Sequence, residues 1–385
     1  MDFNLTDDRR MLADTLSRFI QDQYTIESRN EAANSAIGYS QDLWSQYAEL
    51  GVIGALFDEE NGGFGGKGFD LAVVFENLGR GLVCEPFLDN AILAGGTLAA
   101  AGNDAQKAII EDIIAGSKTA TFAHFEPRSR YSLQKVETTA VATDDGWTLN
   151  GAKAVVRFID TADYVIVSAR TSNGVNDKDG ISLFLLDTAS VNLNVNSYNT
   201  VAGGRAGEVT LNNLTVSKDA LIGEAGQAHD VLEKVVGAGI VALCAEALGV
   251  MEAAKEQTVD YIQTRKQFGV PIGKFQALQH RMADILIEIE QVRSAVINAA
   301  AALEKEDRVE RERALSAAKY TVGHVGQKIA EETIQIHGGI GMAWELPLGH
   351  YAKRLVMVDH ELGDEDYHLG RYISLGKTLS PTPDQ

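Results

Sequence analysis

The chain has 385 residues, 45% of them apolar, which is too long for one small core and suits two or three globular domains. Its 34 basic and 54 acidic residues leave a net charge of -20, which argues against non-specific binding to nucleic acid or to an anionic membrane surface, so an anionic ligand needs a local basic cluster. Cys84 and Cys244 stand far apart in apolar sequence without metal-ligand spacing, and there is no signal-like N-terminus and no long apolar run, so a soluble, cytoplasmic protein with buried thiols is expected.

Helical patterning dominates the first 117 residues. TDDRRMLADTLSRFIQDQY opens at Thr6 with a cap and two acids, then places Met11, Leu12, Leu16, Phe19 and Ile20 along one face. A second helix carries Leu43, Trp44, Tyr47 and Leu50 and stops at Gly51, and helical patterns return over 69–80, 91–101 and 104–115. Between them, Gly62-Gly63-Phe64-Gly65-Gly66-Lys67-Gly68 invites comparison with a phosphate loop. No Ser or Thr follows the lysine and no strand precedes it, so it reads as a flexible turn.

From Thr119 the period changes to two. TATFAHF, KVETTAVATDDGWTLNG, YVIVSAR, GISLFLLD, VNLNV and GEVTLNNLTV are short β-rich runs separated by turn signals at Asp145-Gly146 and Asn150-Gly151, together a compact β domain over 118–224. After Gly226 helices return: His229 to Thr264, Phe275 to Glu304 and Arg308 to His337 have the length and periodicity of bundle helices, and the loop GGIGMAWELP interrupts the series at 338–347. Residues 225–377 form this bundle, and 378–385, with two prolines, are expected to be disordered. Where the first two long helices meet, helical periodicity breaks at Gly269-Val270-Pro271, placing Arg265 and Phe268 together at a helix end suited to an anionic, aromatic ligand.

Together these pieces resemble the acyl-CoA dehydrogenase family across nearly the whole chain. The residues that carry the resemblance are YAELGVIGALFDEENGGFGG with FENLGR, then FEP and WTLNGAK, then RKQFGVPIGKFQALQHRMAD with QIHGGIGMAWELP. The resemblance implies an N-terminal α-helical domain (1–117), a middle β-barrel or sandwich (118–224) and a C-terminal four-helix bundle (225–377), with FAD between them reaching a neighbouring subunit. Arg265 and Phe268 then correspond to the family's R-x-x-F-G arm over the adjacent subunit's FAD, with Gln276 nearby. Gln335, Gly338 and Gly339 correspond to its Q-x-x-G-G element, where bare backbone approaches the cofactor. Such a shared site implies an obligate oligomer.

The β domain departs from the family pattern. Common members carry T-E-P-x-A-G-S-D at the flavin face, whereas this chain reads Phe125-Glu126-Pro127-Arg128-Ser129-Arg130-Tyr131, and an aromatic-Ile-Thr becomes Val155-Val156-Arg157. His124, Phe125 and Arg157 are flavin-contact candidates by position, with a surface strand residue as the alternative for Arg157. Arg205 either touches the CoA portion or caps a loop.

The resemblance also implies a base that removes the α proton of an acyl thioester. The family's E-G-T glutamate is missing from Arg354-Leu-Val-Met-Val-Asp359-His360-Glu361-Leu-Gly363-Asp364, where Asp359 stands closest and Glu361 is a further possibility. A minority of relatives place the base on the first long bundle helix, at the position of Gly239. Glu246 lies two turns on, a lone acid within GAGIVALCAEALGVMEAA, expensive to bury unless paired or functional. Glu246 is the first candidate and Asp359 the second, with a structural ion pair as the bland reading of Glu246. His360 and His368 have no metal spacing.

The expected activity is FAD-dependent α,β-dehydrogenation of an acyl-CoA to a trans-2-enoyl-CoA, with electrons passing to an electron-transferring flavoprotein. The expected assembly is a homo-oligomer or a heterotetramer with a second acyl-CoA dehydrogenase subunit. The departures resemble the small subunit of pimeloyl-CoA dehydrogenase and heteromeric steroid-degrading members, which raises two alternatives: a non-catalytic structural subunit, or the same fold turned to desulfination or oxidation by oxygen.

Overall fold

The computed structural model describes residues 5–377, so the tail 378–385 lies outside the described residues. Helices α1 (Asp7–Gln23), α2 (Ile26–Ala33), α3 (Gln41–Glu49) and α4 (Gly68–Gly81) come first, followed by a π-helix over Leu88–Gly95 and α5 (Gly96–Ala101), α6 (Asp104–Lys107) and α7 (Ile109–Ile114). Eight strands follow: β1 (Ala120–Ala123), β2 (Thr139–Ala142), β3 (Gly146–Arg157), β4 (Tyr164–Arg170), β5 (Ile181–Asp187), β6 (Asn194–Asn199), β7 (Arg205–Ser217) and β8 (Leu221–Ile222). Helices α8 (His229–Thr264), α9 (Gln276–Ala302), α10 (Arg308–His337), α11 (Leu348–Asp359) and α12 (Glu365–Lys377) complete the chain, with a short hairpin between α8 and α9, β9 (Lys266–Gln267) and β10 (Val270–Pro271). A helical N-terminal part, a middle sheet and a C-terminal helical part are thus all present. Contacts group the chain into two compact units, one of 1–28, 67–83 and 240–385, the other of 29–66 and 84–239.

In the first unit α10 packs on α9, α11 and α12. Helix α9 buries Met282, Ile285, Ile289, Val292, Val296 and Ala299, the three-and-four spacing of a single apolar stripe. Helix α8 contains a window apolar enough to span a membrane, but 89% of that window is buried within the protein, as in a core helix. Its small residues serve backbone contact with α4. A Cβ added at Gly79 would lie 2.0 Å from the Glu246 carbonyl oxygen, and one at Gly249 would lie 2.0 Å from that of Glu76. On this side the run around Glu246 leaves no space for a ligand. Helix α1 joins α4 through Arg9, whose Nε donates to Asp70 Oδ1 at 2.6 Å, and buries Leu16 and Ile20, whereas Met11 is exposed.

In the second unit the strands form one mixed sheet in the order β6-β7-β3-β2-β4-β5-β8, with β1 parallel to β4. Its core gathers Leu149, Val165, Val167, Phe184, Leu186 and Val209. Asn150-Gly151 is a bulge inside β3 and not a turn. A Cβ on Gly151 would meet Thr138 Oγ1 at 2.4 Å, and Asn150 Oδ1 accepts from the Asn213 amide at 2.7 Å, so the pair serves the ladder. The stretch 62–66 is packed rather than flexible. The amides of Gly63, Phe64, Gly65 and Gly66 donate to the carbonyls of Asp58, Gly54, Phe57 and Ala55, which leaves none of them to cradle a phosphate.

A buried polar network fixes the loop that follows β1. Lys153 Nζ, fully buried, donates to Glu126 Oε1 at 2.7 Å, Ser168 Oγ at 3.0 Å and the His124 carbonyl at 3.2 Å, and Glu126 also accepts from the amides of Glu137 and Thr138. Burial would raise the Glu126 carboxyl, but the Lys153 charge and these hydrogen bonds hold it below the usual range, while burial pulls Lys153 down to about 8. Since Ser168 Oγ accepts from Lys153, its hydroxyl proton can serve His124 Nδ1, 2.9 Å away. Burial and the Lys153 charge then push His124 down to about 3, so it is neutral.

Two outcomes follow from these contacts. Gly79→Ala and Gly249→Ala should each cost about 1–3 kcal/mol of stability by forcing α4 and α8 apart, read as lower urea midpoints with an unchanged slope; midpoints equal to the parent's would mean the crossing has slack. An unfolded histidine titrates near 6.5, so the contribution of neutral His124 is complete above that pH and is lost as the pH falls toward 3. Stability should drop by up to about 1.4 kcal/mol per pH unit in that window, and by less in His124→Gln. Equal slopes for parent and variant would remove His124 from the acid response.

Candidate active site

The first unit brings together two of the motifs. Arg265 leaves the end of α8 and enters the β9–β10 hairpin, whose turn is Phe268-Gly269 with φ of 51° and 81°. Positive φ at both central residues is the twist a two-residue hairpin favours, but a phenylalanine there carries strain. Phe268 is 91% exposed, and its ring meets Phe275 edge to face with centroids 6.2 Å apart. Arg265 and Gln276, the first residue of α9, are exposed beside it.

At the end of α10, Gln335 is exposed and Gly338 turns the chain at φ 67°, ψ -145°, a conformation essentially restricted to glycine. A Cβ built on Gly338 or Gly339 would meet nothing within 4 Å, so bare backbone faces open space. The two motifs are joined by a pair the sequence did not single out. The Tyr261 ring stacks on His337 at 4.3 Å, and its hydroxyl donates to the His337 carbonyl at 3.2 Å. An unengaged guanidinium, an exposed aromatic ring, two carboxamides and open glycine backbone form a donor set that fits an anionic dinucleotide with aromatic parts.

The acids lie deeper in this unit. Glu246, 8% exposed on α8, is gripped by Arg354 of α11, Nε to Oε1 at 2.5 Å and Nη2 to Oε2 at 2.8 Å. Arg354 also holds Glu361, on the turn after α11. Burial would lower the guanidinium, yet the two carboxylates raise it well above its ordinary value. Glu246 is therefore an ion-paired acid, and its partner comes from another helix. Asp359 is placed differently. Burial raises its carboxyl, its Oδ1 has no hydrogen-bond partner, and a Cβ on Gly323 of α10 would lie 2.0 Å from that oxygen. Lys319, pulled down by burial, donates to the main-chain carbonyls of Asp359 at 3.1 Å and Gly363 at 2.6 Å. His368 is also turned inward, Nε2 to the Leu362 carbonyl at 3.0 Å, and among the described residues no acid, His or Cys cluster could hold a metal.

The second unit carries the remaining candidates. His124 is committed to the buried network, its ring to Ser168 and its carbonyl to Lys153, so of the two only the half-buried Phe125 reaches the surface; the Phe125 carbonyl accepts from Ala154 N at 2.9 Å. At the end of β3 a bulge, with Val155 at φ 53° and Phe158 at φ 54°, re-aims the strand. Arg157 there is neither free nor fully exposed: its Nε donates to Asp89 of the π-helix at 3.1 Å, and its guanidinium lies over Phe158. π-helical turns are frequent at functional sites, and in the sequence only a helical pattern over 91–101 marks this one. Arg205 is occupied by Asp160 Oδ2 at 2.5 Å and Asn199 Oδ1 at 2.8 Å, closing the β6–β7 turn.

Comparison with known proteins accounts for all three parts of the chain. The models of the acyl-CoA dehydrogenase N-terminal, middle and C-terminal domains match residues 6–117, 121–214 and 230–371. The short-chain specific acyl-CoA dehydrogenase of Megasphaera elsdenii is 28% identical over 363 residues, 92% of this chain and 94% of the relative. The caffeyl-CoA reductase-Etf complex subunit CarC of Acetobacterium woodii is 26% identical over 342 residues, 87% and 89% of the two chains. A chain of the ChsE4-ChsE5 complex from Mycobacterium tuberculosis superposes with a TM-score of 0.88 at 25% identity, covering 100% of both. The chain belongs to the acyl-CoA dehydrogenase family, FAD-containing oxidoreductases acting on the CH–CH bond of acyl-CoA thioesters.

Proposed function

We propose that this protein converts an acyl-CoA to its trans-2-enoyl-CoA in the cytoplasm and passes the electrons to an electron-transferring flavoprotein, with 1–117, 118–224 and 225–377 as its three domains. When bound, FAD supplies the hydride acceptor. Arg265, Phe268, Gln276, Gln335, Gly338 and Gly339 of one subunit would hold the cofactor of its neighbour, and Phe125 and Arg157 would face the flavin, with buried His124 supporting Phe125 from behind. The observation that carries this reading is the exposed, strained Phe268 beside an unengaged Arg265.

Glu246 is our base. Its carboxylate is fixed in place by Arg354, whereas Asp359 turns an oxygen against α10, where no substrate atom can reach it. A base removes the α proton only if its oxygen is held at the right place, since an error of about 1 Å can cost on the order of a hundredfold in rate.

One observation favours a second reading. Both Glu246 oxygens are engaged by Arg354, as a purely structural ion pair would require, so the chain would then be the non-catalytic partner in a heteromeric enzyme. The pairing in the ChsE4-ChsE5 complex offers a precedent for two unlike chains. Anaerobic titration of the purified protein with an acyl-CoA panel separates the readings. Bleaching of bound flavin that is lost in Glu246→Gln, by about a hundredfold or more, and kept in Asp359→Asn supports the base. A colourless protein that gains flavin only with a second chain supports the structural subunit.

Arg265→Ala should release flavin at concentrations where the parent retains it, an affinity loss of about tenfold or more, consistent with the roughly 1.5–3 kcal/mol of a charge-assisted hydrogen bond. Dialysis followed by absorbance at the flavin band reads this directly. Parental retention would remove Arg265 from the cofactor site.

A further inference from the structure

Arg354 does more than neutralise Glu246. Its Nε and Nη2 take both Glu246 oxygens, while Nη1 and Nη2 reach Glu361, the last contact at 3.3 Å. Nη2 thus divides its two N–H bonds between two carboxylates. Arg354 is 7% and Glu246 8% exposed, so the guanidinium meets the carboxylates where water barely enters, with buried Lys319 as a second positive charge acting on Glu361. A structural ion pair needs only one carboxylate, and a second beside it adds repulsion. With two carboxylates on one fork, Arg354 keeps a charged partner when either of them takes up a proton.

The surroundings hold the second acid within reach. Lys319 Nζ pins the turn that carries Glu361 by donating to the carbonyls of Asp359 and Gly363 on either side of it. The main chain of Glu246 is fixed where α8 crosses α4 at Gly79. Of the contacts in the cluster, the 3.3 Å bond to Glu361 is the one that can shorten without moving a helix.

We propose that Arg354 and Glu361 are positioning residues for proton transfer at Glu246: Arg354 grips Glu246 while it is a carboxylate and hands its fork to Glu361 as Glu246 takes up the proton. This rests on the reading of Glu246 as the base. In the step, the α C–H bond of the thioester breaks, the proton bonds to a Glu246 oxygen, and the electron pair stays on the substrate as the thioester enolate. No atom changes oxidation state in this half-step, and return of a proton from water reverses it.

The test follows α-proton exchange rather than turnover. Flavin-loaded protein is incubated with butyryl-CoA or octanoyl-CoA in D2O, and deuterium at the α carbon is measured by mass spectrometry across thioester concentrations. Glu246→Gln should slow exchange by about a hundredfold or more. Arg354→Lys and Glu361→Gln should each lower the limiting rate about ten- to a hundredfold, because the bidentate fork or its second partner is lost, while the half-saturating concentration moves by less than about twofold. Glu361→Asp, which keeps the charge, should recover part of the rate. Adding either substitution to Glu246→Gln should cause no further loss, since the three residues act as one unit.

Flavin absorbance and melting temperature identify variants that fail to fold, and for those Glu361→Asp and the double variants carry the comparison. Parental rates in Arg354→Lys and Glu361→Gln, or losses that simply multiply in the double variants, overturn the proposal while leaving Glu246 as the base. Parental exchange in Glu246→Gln, or no exchange in the parent with either thioester, overturns the base reading and the proposal with it.

Discussion

One guanidinium shared by two carboxylates ties α8, α11 and the turn after α11 into a single arrangement. Arg354 suits this role because its planar fork offers parallel donors, which a lysine point charge cannot. Bringing these charges out of water is costly, and breaking such a pair by removing one partner typically costs about 3–5 kcal/mol, because the other is left buried and uncompensated. The cluster is therefore retained for position more than for stability. With both of its oxygens held by the Arg354 fork, the Glu246 carboxylate has little freedom to swing. A carboxylate so held suits the tolerance that the proposed proton abstraction demands.

The second unit uses the same device with a different cation. Lys153 is fully buried and directs its three donors to Glu126, Ser168 and the His124 carbonyl, which fixes the main chain of 124–126. The loop beyond then alternates. Ser129 Oγ folds back on the Glu126 amide at 2.9 Å, while Arg128 and Arg130 on either side of it are exposed. Here a charge satisfied inside the core sets the geometry of a surface segment.

Elements set by local sequence were legible from it. The bounds of α8 and α10 follow from their periodicity and caps, and the strands from alternation between turn signals. The miscast Asn150-Gly151 turn failed because a hairpin signal and a bulge use the same residues, and only the neighbouring strand distinguishes them. The small residues around Glu246 pose a related ambiguity. Small residues on a helix serve a cavity or a close crossing equally well, and here Gly79 of α4, far off in sequence, chose the crossing. The Arg354 partnership lay beyond reach because its two ends are 108 residues apart, although a lone arginine in the buried stripe of Leu348, Ala352, Leu355 and Val358 was a visible anomaly.

The Phe268 turn breaks local rules in a different way. A bulky residue at positive φ is strained by an amount of order 1–3 kcal/mol, and an exposed ring recovers none of the roughly 1.5–3 kcal/mol that burying it would contribute. Glycine at position 268 would relieve the first cost, and a polar residue there would remove the second. Neither is present, and the stack of Tyr261 on His337 holds the hairpin beside the open backbone of Gly338 instead of letting it collapse onto its own unit. Two unfavourable choices at one residue, supported by neighbours that keep them in place, are accounted for when the ring and the adjacent Arg265 engage a group outside the chain that carries them.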